Sequence, residues 1–195
     1  MVKLNKIKEA ILKWGECFLI TDESGRQWVG TMAALYSLEG MPEVTLQHLP
    51  AILDIDRDTW VEKVTTLSEF NGLPSIYEEL LEKVEENSTA LRTMEEVGAE
   101  YKNGQRRVVP MSVMDRDYAL FRVYQMAPLP SKIALRYEGL YCNGRWYMAV
   151  MEGLFPVALM RETELPTRDA ELIQALEMAA RRVSKLAEDE EEEEE

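Results

Sequence analysis

The sequence predicts an α+β fold, with a mostly antiparallel sheet built from both ends of the chain, a helical block in the middle and a helix near the C-terminus. Three observations predict it. Extended, alternating apolar patterns occupy residues 16–38 and 106–160, whereas residues 4–14 and 43–101 repeat their apolar positions every three to four residues. Between two extended segments lies Asn143-Gly144, a pair suited to the positive φ angles of a two-residue hairpin turn. With 195 residues, 46% hydrophobic and 30% charged, the chain has enough apolar material for a core.

Taken in order, Leu4, Ile7, Ile11, Leu12 and Trp14 define a short amphipathic helix stopped by Gly15. Glu16–Ile20 and Arg26–Val29 flank the polar turn Thr21–Gly25 as a hairpin, and Met32–Leu38 is a further strand that closes at Glu39–Pro42. Four helices are expected in the block that follows. Their apolar faces are Leu46, Leu49, Ile52 and Leu53; then Trp60, Val61, Val64 and Leu67, with Asp58 as cap; then Ile76, Leu80, Leu81 and Val84; and lastly Leu91, Met94 and Val97 after Ser88. Strands are expected over Arg106–Met111, Asp117–Tyr124, Lys132–Tyr141, Arg145–Met151 and Leu154–Met160, and a helix capped by Thr167 runs to Leu186. The organisation is thus 1–42 (helix, hairpin, strand), 43–101 (helical block), 102–187 (β-rich, sharing a core with 1–42) and a disordered acidic tail, 188–195.

The segment Gly25-Arg26-x-Trp28 … Met32 … Leu35-Tyr36-x-Leu38 … Met41 aligns without gaps on Gly144-Arg145-x-Tyr147 … Met151 … Leu154-Phe155-x-Val157 … Met160. If this echo reflects duplication, two related hairpin-strand-helix units share one sheet.

Composition excludes several kinds of chemistry. Two cysteines, Cys17 and Cys142, and one histidine, His48, supply neither a disulfide framework nor a zinc site nor a Ser–His triad. Asp54-Ile-Asp56-Arg-Asp58 opens like a calcium loop, but Thr59 and Thr65 stand where that loop needs glycine and glutamate. No Gly-rich phosphate loop or Gly-x-Ser-x-Gly elbow is present. No cofactor or metal is expected, and catalysis would be left to carboxylates, as in a carboxylate-based hydrolase. No apolar run approaches the roughly 20 residues of a membrane span, and Met1–Leu12 lacks the pattern of a secretory signal. A cytoplasmic location is expected. Residues 45–64 have the rhythm of a helix-turn-helix, but Arg57 and Lys63 face too many carboxylates to grip phosphates.

The charge is uneven. Of the formal −14, the eight acidic residues 188–195 supply −8; residues 1–100 carry 9 basic against 19 acidic side chains, and residues 101–147 carry 8 against 3. That last stretch also holds eight of the sixteen aromatics. Cations follow a nucleic-acid backbone while aromatic faces stack on bases. Arg106, Arg107, Arg122, Arg136, Arg145, Tyr124 and Tyr137 are therefore the candidate surface for nucleic acid or a partner. A second candidate is acidic: Glu78, Glu82, Glu85 and Glu86 share one side of a helix.

The stretch Arg26-Gln-Trp-Val … Ala34-Leu-Tyr-Ser-Leu-Glu-Gly-Met-Pro-Glu43, followed by Leu53-Asp-Ile55, resembles proteins encoded in phages and prophages of Gram-positive gut bacteria. In layout such chains are similar to sliding DNA clamps. The resemblance implies a non-catalytic, phage-associated accessory or interaction protein of DNA transactions, with protein partners, DNA contact and homo-oligomers among the expectations. The acidic helix supports an alternative, a DNA mimic that inhibits a host nuclease or defence protein.

Overall fold

The computed structural model describes residues 2–96, 101–103, 106–113, 117–130 and 135–163. The expected helix over Thr167–Leu186 and the acidic tail lie outside them. The elements are α1 (Leu4–Trp14), β1 (Glu16–Thr21), β2 (Gln27–Thr31), β3 (Ala34–Ser37), α2 (Leu49–Ile52), α3 (Arg57–Lys63), β4 (Thr65–Asn71), α4 (Ser75–Glu85), β5 (Arg92–Glu96), β6 (Tyr101–Asn103), β7 (Arg106–Val113), β8 (Asp117–Arg122), α5 (Val123–Met126), β9 (Leu135–Cys142), β10 (Arg145–Glu152) and β11 (Phe155–Arg161). This is the α+β architecture read from the sequence: one sheet, antiparallel except where β4 pairs with β1, in the order β4-β1-β2-β3-β11-β10-β9-β5-β7-β6, with β8 on the other edge of β7.

Local chemistry explains the elements that the sequence announced. Helix α1 buries Ile7, Ala10 and Ile11 and ends on Gly15 at φ 71°, whose N–H reaches the Ile11 carbonyl at 2.8 Å; glycine takes this left-handed cap without Cβ strain. Asn143 and Gly144 have φ of 51° and 77°, as the tight turn between β9 and β10 requires. The β1–β2 turn is organised by one carboxylate. Asp22 accepts the Ser24 and Arg26 backbone amides at 3.0 and 2.9 Å and the buried Trp28 indole N–H at 2.9 Å.

The middle block departs from expectation. Helix α3 stops at Lys63, Val64 is already extended, and residues 65–71 form β4, so Leu67 belongs to a strand rather than a helix face. The β-branched Thr65-Thr66 pair favours this, and the free edge of β1 supplies the hydrogen bonds. Likewise Asn87 turns the chain at φ 49° after α4, and Met94 sits in β5. Met94 pairs with Tyr137 on one side and Val113 on the other and is buried; sheet pairing overrides a three-residue apolar spacing that also fits a helix. The cap of α3 is Asp56, accepting the Thr59 amide at 2.8 Å, not Asp58. Tyr124, expected at the end of a strand, lies in the short helix α5. Residues 43–101 are accordingly not a separate helical block, since they feed two strands into the common sheet.

Helix α4 packs Tyr77, Leu80 and Val84 on one face of the sheet, against Phe18, Trp28, Leu35, Ala149 and Leu159. The opposite face carries α1, and the sheet rolls over it: Val109, Met111, Ala119 and Phe121 of β7 and β8 share a core with Ile7, Ile11, Trp146 and Met148. The roll closes where the Thr163 amide, just beyond β11, donates to the Leu120 carbonyl at 2.7 Å.

The strand trios β1-β2-β3 and β9-β10-β11 run in mirrored order and meet along three residue pairs, Ala34–Met160, Leu35–Leu159 and Tyr36–Ala158. At the end of this seam lies Gln125, 1% exposed. Its Nε2 donates to the carbonyls of Ala33 (2.8 Å) and Arg161 (3.1 Å), and its Oε1 accepts from the Arg122 amide (2.7 Å) and the Thr163 hydroxyl (3.2 Å). The Tyr36 hydroxyl donates to its main-chain oxygen at 2.8 Å. Removing the carboxamide strands several buried polar groups, each costing about 1–3 kcal/mol. Gln125→Leu is therefore expected to destabilise the protein by about 3 kcal/mol or more, and Tyr36→Phe by about 1 kcal/mol, as measured by urea denaturation. Equal midpoints for Gln125→Leu and the unmodified chain would contradict the role given to this side chain.

Candidate nucleic-acid interface

Two groups of side chains meet at the sheet end marked by the β9–β10 turn. The first forms where α1 ends beside α5. Trp14, the last residue of α1, is 38% exposed. The Arg122 guanidinium lies 5.2 Å from its ring and 5.7 Å from that of Tyr124, and the two rings meet edge to face at 5.8 Å. The Lys13 ammonium stands 4.7 Å from the Tyr124 ring. Such cation–π contacts hold the cations against aromatic faces without neutralising them. The result is a half-exposed patch with two positive charges.

The second group lines a cleft of about 550 Å³ formed by Ala90, Arg92, Tyr118, Leu140, Tyr141, Gly144, Trp146 and Glu162. Strand register explains its composition. Arg92 of β5 pairs with Gly139, two positions from Tyr141 on β9; Tyr141 pairs with Trp146 on β10; and the Glu162 amide donates to the Trp146 carbonyl at 2.9 Å. Alternation therefore places Arg92, Tyr141, Trp146 and Glu162 on the same face in neighbouring chain segments. The Tyr141 and Trp146 rings are 5.2 Å apart, tilted by 56°. Tyr118 enters from β8, where alternation puts it on the same face as Arg122. At about 3.3 Å per residue, those two positions are about 13 Å apart along the strand, so β8 links the two groups.

Within the cleft, Glu162 makes an unusual bond: its carboxylate, not its carbonyl, accepts the Trp146 amide at 2.9 Å. Burial raises its pKa above the ordinary 4.5, and the lowering influences of the Trp146 and Leu120 backbone and the Arg145 charge do not cancel this. The cysteines offer no comparable chemistry. Burial, with the Glu16 charge, pushes the Cys17 thiol up to about 12, so it stays protonated at neutral pH, and Cys142 is a free, half-buried thiol.

The candidate residues from the sequence do not form one surface. Arg122 and Tyr124 come together in the α1–α5 patch, and Arg145 opens β10 between the cleft residues Gly144 and Trp146. Tyr137, expected from the sequence at the surface, is a core residue: it is 9% exposed and pairs with Met94. Arg136, its neighbour on β9, falls on the opposite sheet face and bonds Glu138 at 3.1 Å. Arg106 and Arg107 begin β7, opposite Asn103 and Lys102 of β6, but their side chains lie outside the described ones. Glu82, Glu85 and Glu86 are exposed on α4 and Glu78 is half-buried, while the same helix pairs Lys83 with Glu79 at 3.6 Å. The sequence puts Trp14 on an apolar helix face and Tyr118, Tyr141 and Trp146 among the aromatics of the basic stretch, but carries no signal for Lys13, Arg92 or Glu162. Strand register brings Arg92, Tyr141 and Glu162 together, and the closure of β8 onto the chain after β11 adds Tyr118.

The direction of the Glu162 shift has a measurable consequence. A carboxyl whose folded pKa is raised stabilises the fold while protonated, and this contribution is lost as pH rises through the folded value. Glu162→Gln keeps an acceptor for the Trp146 amide but cannot ionise. Relative to the unmodified chain, the variant is expected to gain stability as pH rises from below 4.5 through the raised value, then level off. Denaturation midpoints across the acid range check this; a difference that stays flat or falls with pH contradicts it.

No helix among the described residues is long and apolar enough to cross a membrane. In comparisons with known proteins, the chain matches no family model, no curated protein and no solved structure.

Proposed function

We propose that this chain is a non-catalytic, phage-associated accessory protein of DNA transactions that holds a single nucleic-acid strand along the surface joining the Trp14 patch to the Tyr141–Trp146 cleft. The observation that carries the reading is the Arg122 guanidinium set beside both the Trp14 and Tyr124 rings, with the Lys13 charge against the second ring. Cations close to half-exposed aromatic faces suit a polyanion whose bases can stack, and the continuation through Tyr118 to Tyr141 and Trp146 provides further aromatic positions. The acidic remainder of the chain restricts such contact to this end, because phosphates are repelled elsewhere. A clamp-like layout adds self-association to the proposal.

Anisotropy of a labelled single-stranded thymine 12-mer, titrated with the full chain, tests the reading. Trp14→Ala is expected to weaken binding about tenfold, since one stacked base contributes about 1–3 kcal/mol. Arg122→Glu should weaken it at least as much and lower the slope of log K against log salt by about 0.7 for each lost phosphate contact. Charge reversal at Glu78, Glu82 and Glu85 should leave binding unweakened. If that triple variant instead loses binding to a protein partner while the Arg122 and Trp14 variants behave normally, the inhibitory DNA-mimic reading replaces this one. Light scattering after size exclusion reads self-association in the same samples.

A further inference from the structure

We infer that the cleft between Tyr141, Trp146, Tyr118, Arg92 and Glu162 is a nucleotide subsite that selects guanine, with the base against the Tyr141 ring and its Watson–Crick N–H donors on the Glu162 carboxylate. This deepens the strand-binding proposal and rests on it for the macromolecular context, but the subsite itself stands on its own geometry.

The volume, about 550 Å³, falls within the roughly 300–1,000 Å³ range of small-molecule sites. Its walls have a definite order. A carboxylate (Glu162), an indole (Trp146), a phenol (Tyr141) and a guanidinium (Arg92) occupy successive segments of the same sheet face, fixed by backbone pairing. With neighbouring strands about 4.8 Å apart and Arg92 offset by about two residues along the sheet, the backbones of Glu162 and Arg92 are separated by about 16 Å. That span exceeds a flat base alone and leaves room for a base at the carboxylate end and a phosphate at the arginine end. Tyr141 is 58% exposed, while Trp146 is 9% exposed and packs against it. The buried indole thus backs the phenol ring, which still offers surface to a ligand.

Polarity at each end is specific. The Glu162 carboxylate accepts the Trp146 amide at 2.9 Å and is also engaged by the Leu120 backbone; its roughly four lone-pair sites leave two for parallel donors. Guanine alone among the common bases presents two adjacent N–H donors, N1–H and N2–H, on its Watson–Crick edge; thymine presents one, and adenine and cytosine each present an amino group beside a ring acceptor that a carboxylate repels. Burial disfavours the ionised Glu162 in the free protein, and two incoming donors offset that cost. At the other end, the Arg92 Nη1 is held by the Thr89 and Leu91 carbonyls at 2.6 and 2.8 Å. This fixes the guanidinium while its other nitrogens keep donors for phosphate.

Binding of dGMP alone, and of 12-mers of thymine carrying one central guanine, adenine or cytosine, tests the subsite on the full chain. The guanine 12-mer is expected to bind about tenfold tighter than the other three, the discrimination that a good bidentate contact provides. Glu162→Gln should remove that preference, bringing the guanine strand to the affinity of the other three, and should weaken dGMP by a similar factor. Tyr141→Ala should weaken dGMP and the guanine strand alike, with circular dichroism confirming that both variants fold. A guanine preference that survives Glu162→Gln, or its absence in the unmodified chain, overturns the subsite and leaves strand binding standing. Glu162-dependent dGMP binding with no affinity for any strand sinks strand binding and upholds a subsite for the free nucleotide. Binding of neither overturns both.

Discussion

The fold depends on how a short seam disposes of its polar ends. Two strand trios share only three residue pairs between β3 and β11. Just beyond them the Arg161 amide still reaches the Ala33 carbonyl at 2.9 Å, but the second lone pair of that carbonyl, the Arg161 carbonyl and the Arg122 amide need partners. A primary amide has two donors and one oxygen with two lone pairs, and Gln125 uses all four: the donors go to Ala33 and Arg161, and the lone pairs to Arg122 and Thr163. A buried network that is fully satisfied rigidifies its surroundings, whereas a half-satisfied one is costly. The same bonds fix the site. The Arg122 amide is one of the four partners, so the guanidinium that lies beside Trp14 springs from a pinned backbone. Thr163 is another, and its neighbour Glu162 supplies the carboxylate of the cleft.

Much of the sheet was legible because its local signals and its pairing agree. Asn143-Gly144 demanded a tight turn and made one, and Gly15 ended α1 as its spacing required. Legibility failed where non-local pairing outweighed local pattern. The intervals Trp60–Val64–Leu67 and Leu91–Met94 are compatible with a helix face, and nothing within those segments reveals that β1 and β9 need partners there. The site was less legible than the fold for the same reason. Alternation along one strand does not say which face is core: Tyr137 and Tyr141 share a sheet face, yet the first is buried under the rolled strands and the second is 58% exposed at the sheet end. Charge counting groups Arg122 with Arg136, whereas in the structure Arg122 lies against the Trp14 and Tyr124 rings and Arg136 bonds Glu138 at 3.1 Å.

Electrostatics limits where an anionic ligand can settle. Residues 1–100 carry an excess of ten negative charges, 19 acidic against 9 basic, and α4 presents Glu82, Glu85 and Glu86 to solvent. Opposite-sign pairs on exposed helices contribute little stability, so these carboxylates act mainly through the field they create. That field disfavours phosphates over the α4 face, whereas the α1–α5 corner, with Lys13 and Arg122, is locally more favourable to an anion.

The echo between the two hairpins bears on why only one of two comparable clefts carries aromatic rings. Gly144 follows Gly25 by 119 residues, and Glu162 follows Glu43 by the same 119, but the turn at 153–154 follows the turn at 32–33 by 121. The ends of the two segments correspond, while the second hairpin reaches two residues further before turning. A second cleft, of about 650 Å³, contains Thr21, Gly25, Gln27 and Glu43; adding 119 gives Leu140, Gly144, Trp146 and Glu162, all lining the first. The chemistry differs at the first position, Thr21 against Leu140, and more consequentially at the third. Gln27 turns its carboxamide onto the Val44 backbone, donating to its carbonyl at 2.8 Å and accepting its amide at 2.7 Å, and so is consumed in holding the chain. Across from Trp146, the returning chain is held instead by main-chain bonds and by Glu162 itself, which leaves the indole free to build an aromatic wall. Structural duty and cleft-building compete for the same position: Gln27 is spent on holding the chain, while Trp146, 9% exposed, backs the exposed Tyr141 ring.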